Sequence, residues 1–351
     1  MHILVTGGAG YIGAHVVRDL VDRGFDVVVI DRVETAPERR AKAAYVRGDV
    51  ADRPLLVRLL REHAIQAVVH LAADKAVEES VHDPLRYFHN NVTGTATVLQ
   101  AMAETGCRIF VFSSSAAVYG QPPRMPVSER SAPSPQNPYG ESKWLVERML
   151  PWLDRAHGVR YASLRYFNAA GAALDGTLGE GTSSARNLVP LVVDAAFRGT
   201  ALTVFGADYP TTDGTAVRDY VHVHDLARAH AAAVEYLHGD GRSSVINLGT
   251  GRGHSVLEVV DATRRMTGRP VDVTLGPRRE GDPPAVWADV SKARAVLGWQ
   301  ALHGLDEIVR TAWLSRVREG RSARGDGPHA AATRGDTAGA SPAPSVPPPH
   351  S

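Results

Sequence analysis

Two hydrophobic periods alternate along the first half of the chain. Residues 2–6 are a short apolar run rich in β-formers, which predicts a buried strand. A cluster of Gly7, Gly8, Gly10 and Gly13 follows, and then Ile12, Val16, Val17, Leu20 and Val21 fall on one helical face. Gly24 stops that helix, and residues 27–30 read as a second buried strand that ends on Asp31. The same pattern predicts strands at 44–47, 67–70, 108–112 and 160–165. Helices are expected from Asp52 through 62, over 85–104 and over 139–157. Strands alternating with helices imply an α/β fold with a doubly wound parallel sheet of the Rossmann type.

Beyond residue 168 the elements shorten and mix. Helices are expected at 187–198, 225–236, 291–297 and 305–318, and strands at 203–205, 219–223, 245–248 and 271–275. Ser255 and Glu258 have the spacing of a capping box. The organisation expected is a dinucleotide-binding domain over 1–168, to which about 219–249 return, and a smaller mixed α/β substrate lobe over 169–319. A tail from 320 to 351, rich in Gly, Ala, Ser, Arg and Pro, lacks the apolar surface to offset chain entropy and is expected to be disordered.

Composition narrows the class. With 44% hydrophobic and 22% charged residues, the chain is of soluble globular type, and its net charge of +1 offers no basic surface for nucleic acid. No run is long and apolar enough to span a bilayer, and the chain opens directly on a strand, so a leader is not expected. Cys107 is the single cysteine, which excludes an internal disulfide and a cysteine-based metal site. The expectation is a cytoplasmic protein with no membrane or nucleic-acid partner.

The candidate chemistry begins at the glycines. Gly8-Ala9-Gly10-Tyr11-Ile12-Gly13 satisfies G-x-G-x-x-G between a strand and a helix, and Asp31 closes the next strand. That order places a pyrophosphate on a helix N-terminus and a ribose on a carboxylate. Arg32 suits a 2′-phosphate, but Asp31 opposes one, which favours NAD. Further on, a strand ends in Ser113-Ser114-Ser115, and Tyr139 and Lys143 sit four apart at the start of a long helix, on one face. A phenol is a poor base at neutral pH, and a neighbouring ammonium favours its phenolate. Tyr139 can then take a hydroxyl proton, with Ser115 donating or relaying a hydrogen bond. His222 and His224 are two apart in an expected strand and would share a face. With His70 they raise a metal reading, but no third ligand is evident and no metal is expected. Asn90 and Asn91, in mid-helix, are expected to face solvent.

These motifs resemble the extended short-chain dehydrogenase/reductases, and among them the UDP-glucose 4-epimerase (UDP-galactose 4-epimerase) family. The stretches LVTGGAGYIG, FVFSSSAAVYG, SPQNPYGESK, LRYFNAAGA, VRDYVHVHDLA and PRREGDPPAVWADVSKA carry the likeness, in order, over roughly residues 1–317. The resemblance implies NAD held by Gly7, Gly10, Tyr11, Ile12 and Gly13 at the pyrophosphate and by Asp31 at the adenosine ribose. Asp49 and Val50 would flank the adenine, and Leu71, Ala72, Ala73 and Lys75 would line the cofactor. Asn90 would support that site, against the solvent-facing expectation, and Phe167 would contact the cofactor too. Ser115, Tyr139 and Lys143 match the catalytic set. Asn168, Asn187, Leu188, Val204, Phe205, Arg218, Tyr220, Arg279, Asp282 and Val286 fall at UDP-sugar positions. Val204 and Phe205 would lie near the uracil, and the two arginines would clamp the diphosphate. A homodimer is the family expectation.

Three departures bear on function. Leu71-Ala72-Ala73 stands where Phe-Ala-Gly is common. Asp74 is polar where an apolar residue is common, and it is expected to pair with Lys75. Val286 stands where some relatives have a bulky tyrosine, and the resemblance implies that it leaves room for N-acetyl sugars. Nucleotide-sugar dehydratases and decarboxylases, the nearest rivals, place an acid soon after the strand-end serine or threonine; here Ala116, Ala117 and Val118 follow Ser115. A silent NAD-sensing protein on this fold would be expected to lose the tyrosine or the lysine.

Overall fold

A computed structural model describes residues 1–181, 187–279 and 281–323. Its first half reproduces the sequence pattern closely: β1 (His2–Thr6), α1 (Tyr11–Asp22), β2 (Asp26–Asp31), β3 (Ala44–Arg47), α2 (Arg53–Glu62) and β4 (Ala67–His70). Asp52 caps α2 by accepting from the Leu55 N–H at 3.0 Å. Two short helices, α3 (Val77–His82) and α4 (Pro84–Tyr87), lead into a π-helical turn at Phe88–Thr93 and then α5 (Gly94–Thr105). After them come β5 (Ile109–Ser115), α6 (Pro138–His157), β6 (Arg160–Tyr166) and β7 (Asn168–Ala170).

The second half holds α7 (Leu188–Arg198), β8 (Leu202–Phe205), β9 (Val217–Arg218), β10 (Tyr220–His222), α8 (Val223–His238) and β11 (Ser244–Leu248). It closes with β12 (His254–Ser255), α9 (Val256–Thr267), β13 (Val273–Gly276), β14 (Ala285–Val286), α10 (Ser291–Leu297) and α11 (Leu305–Ala323). The expected strand at 219–223 is broken at Asp219. His224 lies in α8 rather than beside His222 on a strand face. The Ser255–Glu258 capping box is present at α9.

Seven parallel strands form the main sheet in the order β11-β6-β5-β4-β1-β2-β3. The order reverses at β1, and ligands of such sheets bind beyond the strand C-termini at that crevice. Ile3, Val5, Val16, Leu20 and Leu226 fill one face, and Leu4, Ile30, Leu56, Leu99 and Phe110 the other. A smaller core of α7, α9 and α11, with β8 and β13, supports the substrate-side lobe. Besides α8 and β11, the chain returns to the main core a further time at Ala293 and Trp299. The Trp299 indole donates to Asp225 O at 2.9 Å. The tail boundary expected at 320 falls inside α11, because Gly320 packs on Phe197, whose ring would lie 2.6 Å from an added Cβ. The remainder of the expected disordered tail, 324–351, is outside the described residues. Among the described residues no helix is long and apolar enough to cross a membrane.

Candidate active site

Gly7 makes the turn after β1. Its φ is +75°, and an added Cβ would lie 2.6 Å from the Ala72 nitrogen at the end of β4. At Gly13 an added Cβ would lie 2.1 Å from Gly7 O, so that glycine serves helix–turn packing. Gly8 is packed as tightly, an added Cβ lying 2.6 Å from Val29 Cγ1, so Gly7 joins the glycines of the G-x-G-x-x-G frame in making the turn. Gly10 sits at the cap of α1 and makes no side-chain bond to it, which leaves the first-turn N–H groups open to an anion. Asp31 accepts from the Ala9 and Val33 N–H groups, each at 3.0 Å, one per carboxylate oxygen. Each oxygen keeps a lone pair for a ribose hydroxyl. The turn and this acid therefore fit a dinucleotide.

Ser115 ends β5, and Pro138 starts α6, capped by Asn137 accepting from the Gly140 N–H at 2.9 Å. This brings Tyr139 and Lys143 beside the strand end. Lys143 is buried, donates to Ser113 O at 2.8 Å, and holds its nitrogen 5.9 Å from the Tyr139 ring centroid and 5.0 Å from that of Phe112. Burial pushes the Lys143 ammonium down to about 7 and pushes the Tyr139 phenol up, while a hydrogen bond with Ser115 pulls the phenol back. Lys143 thus carries its charge, when protonated, beside the Tyr139 ring, where an ammonium favours phenolate.

The asparagines correct an expectation. Asn90 is half-buried and Asn91 fully buried, because the π-turn at 88–93 turns this segment inward. Asn91 accepts from the Asp74 N–H at 2.8 Å and donates to Ser142 Oγ at 3.0 Å, and Ser142 in turn donates to Tyr139 O at 2.7 Å. The loop after β4 is thereby braced to the first turn of α6. Asp74 does not pair with Lys75; its carboxylate faces Arg86 at 3.1 Å and Arg32 at 3.6 Å. Arg32 also lies 4.0 Å from Asp49, which commits it within the protein. Val50 is buried against Gly94, beside Leu55 and Leu56 in the core.

On the substrate side, Phe167 and Val286 share a small core with Val118 and Tyr119, next to the Ser115 turn. Val286 pairs in register with Arg218 across β14 and β9. Arg218 forms an ion pair with Asp282, and Asp282 N–H bonds Arg279 O at 3.3 Å, so both arginines are tied to one turn. The Arg279 guanidinium stacks 4.4 Å from the Phe205 ring centroid. Strand alternation sends Val204 the other way, into the lobe core, so of the β8 pair only the Phe205 ring remains accessible. Tyr220 is likewise buried in that core, which pushes its phenol well above the usual range. Asn168 is exposed, with its N–H on Asp219 O at 2.9 Å. Asn187 and Leu188 stand at the start of α7.

Sequence reasoning missed Asp219 and Glu180. Buried Asp219 accepts from the Thr250, Gly251 and Ala288 N–H groups at 2.8, 3.1 and 3.2 Å and from Thr250 Oγ at 2.7 Å, and so pins the loops around Asn168 and Val286. As the first residue of an expected strand, Asp219 carries no sequence signal of this role. The histidines are spent internally. His70 bonds Thr6 at 2.7 Å and Thr95 at 2.8 Å, and burial pushes it down to about 3. His222 bonds Thr311 at 3.0 Å and accepts from the His224 N–H at 3.1 Å. The His303 ring lies 4.8 Å from that of His222, tilted by 41°, yet among the described residues no group of three or more His, Cys, Asp or Glu side chains is placed to hold a metal ion.

Fold and site together define a dinucleotide-dependent enzyme with a tyrosine–lysine pair. The chain belongs to the NAD dependent epimerase/dehydratase family, whose profile matches residues 3–249. It is 46% identical over 317 residues to the UDP-glucose 4-epimerase of Lactobacillus helveticus, covering 89% of this chain and 96% of that protein. The UDP-glucose-4-epimerase of Stenotrophomonas maltophila, solved with bound NAD and formylated UDP-arabinopyranose, shares the fold at a TM-score of 0.89. It is 41% identical, covering 92% of this chain and 99% of that one. The Brucella ovis UDP-glucose 4-epimerase, solved in complex with NAD, is 45% identical at a TM-score of 0.86, covering 89% and 97%.

Proposed function

We propose that this protein interconverts UDP-galactose and UDP-glucose, with NAD kept in place through the cycle. NAD, when bound, supplies reversible oxidation at C4 of the sugar. The observation that carries the reading is the Tyr139–Lys143 pair beside Ser115, its lysine buried, with Ala116, Ala117 and Val118 following instead of an acid. Tyr139, as a phenolate that the Lys143 ammonium stabilises, takes the C4 hydroxyl proton and becomes the neutral phenol that returns it. Ser115 orients the sugar hydroxyl. Without an acid after Ser115, no group is at hand for elimination or decarboxylation, so the ketone is returned to alcohol.

The cofactor grip is assigned to Gly7, Gly10, Tyr11, Ile12 and Gly13, to Asp31, Asp49 and Val50, to Leu71, Ala72, Ala73 and Lys75, and to Asn90 and Phe167. Arg218 and Arg279 hold the diphosphate, since guanidinium forks suit phosphate oxygens. Phe205 stacks on the base. The sugar itself is held loosely, so that it can turn about the diphosphate linkage and present its other face. Val286 leaves room for a 2-acetamido group, which extends the reading to UDP-GalNAc and UDP-GlcNAc. A cytoplasmic homodimer completes the proposal. Separation of the UDP-hexoses after incubation with UDP-galactose tests it: UDP-glucose must appear.

A further inference from the structure

Asn187 occupies the cap position of α7 yet makes no side-chain bond to that helix. An asparagine at a cap ordinarily accepts from the first-turn N–H groups and stabilises the helix. Here its Nδ2 donates instead to Oε1 of Glu180 at 2.7 Å. The same oxygen accepts from Lys75 Nζ at 3.1 Å. The Lys75 nitrogen also lies 5.9 Å from the ring centroid of Tyr11, the first residue of α1, whose hydroxyl donates to Gly171 O at 2.7 Å. One carboxylate oxygen thus joins the lysine assigned to the cofactor to the asparagine assigned to the substrate. The Glu180 side chain is only 9% exposed, whereas that of Lys75 is 62% exposed, so the acid is the fixed point and the lysine the arm.

We propose that Glu180 is a positioning residue that couples the cofactor and substrate sites, an inference that rests on the reading given above. Lys75 and Asn187 share one acceptor oxygen, and both bonds stand together. When cofactor phosphate or ribose engages the Lys75 ammonium, the arm is ordered and with it the Glu180 oxygen that fixes the Asn187 amide at the head of α7. When substrate engages Asn187, the same oxygen is fixed from the other side and holds the Lys75 arm in place over Tyr11. Each ligand therefore orders the other's contact, and the coupling is reciprocal. A role confined to loop structure would not link the two ligands.

The test is the half-time of NAD loss from the full-length protein on dialysis, with and without saturating UDP. In the wild type UDP lengthens it by about fivefold or more, the lower end of ordinary site–site coupling. Glu180→Ala removes the acceptor, and the lengthening should fall below about twofold, within the same scale. Glu180→Gln preserves side-chain shape and an oxygen for Asn187 but not the charge on Lys75, and it too should lose the effect while melting within a few degrees of wild type. Wild-type lengthening retained in both variants overturns the proposal. Turnover is not read in this assay, so failure to convert UDP-galactose would sink the epimerase reading and leave this result to stand or fall alone.

Discussion

The Lys143 ammonium nitrogen lies 5.9 Å from the Tyr139 ring centroid, one helical turn along α6, and its hydrogen bond to Ser113 O fixes it there. Burial drives the two groups apart in acidity, the lysine down to about 7 and the phenol up. In the chain alone Lys143 therefore loses its proton first and the phenol keeps its own. The phenolate needs positive charge beside it, from the Lys143 ammonium and from the bound nicotinamide. On that account kcat should rise with pH along a limb set by ionisation of Tyr139, below the ordinary phenol range. Lys143→Met should lower kcat at neutral pH by roughly 100-fold and move the limb upward toward the ordinary phenol range. A pH profile of kcat with an unmoved limb would contradict the pairing.

Helix α6 is clamped to the sheet one turn beyond Lys143. Glu147 is buried and accepts from Ser114 Oγ at 2.5 Å and from Arg165 Nε at 2.9 Å. Glu147→Ala strands the Arg165 guanidinium in the interior, which costs about 3–5 kcal/mol. The urea midpoint should drop accordingly. An unchanged midpoint would mean that the clamp carries no weight.

Arg218 is held by Asp282 and reaches the turn that carries Arg279. Arg218→Met should remove a charged hydrogen bond to diphosphate worth about 2 kcal/mol, roughly a 30-fold rise in KM for UDP-galactose. NAD content should be unaltered, because the turn at Gly7 is untouched. Loss of NAD with no change in KM would place this arginine in the wrong site.

Val286 is buried beside Phe167 and Tyr119. Val286→Tyr should fill that space and suppress conversion of UDP-GalNAc while leaving UDP-galactose turnover within about threefold, a difference below 1 kcal/mol. Side-by-side rates for the two sugars decide it. A wild type with no N-acetyl conversion at all rules out the assigned role.

Much of this was legible from periodicity. The strands and helices of the first half follow from apolar spacing, and the turn at Gly7 to Gly13, the acid at Asp31 and the Tyr139–Lys143 spacing are local features of the sequence. What escaped were relationships made by distant segments. Asn91 reads as a poor helix former, and only the π-turn that rotates it inward makes it the brace between Asp74 and Ser142. Asp219 gains its role from Thr250, Gly251 and Ala288, which the fold brings to it from far along the chain. Glu180 lies in a glycine-rich stretch with no periodicity to mark it. Val204 was within reach, since strand alternation alone separates it from Phe205.

The central claim is that one NAD stays bound and is used in both directions. The direct measurement is incubation of the purified protein with UDP-galactose and no added NAD, with quantitation of UDP-glucose and of NAD released on denaturation. The account predicts many turnovers per protein and about one NAD per chain, with no net reduction of cofactor. A protein that purifies empty, or that makes UDP-glucose only while free NAD is supplied and consumed, would contradict it.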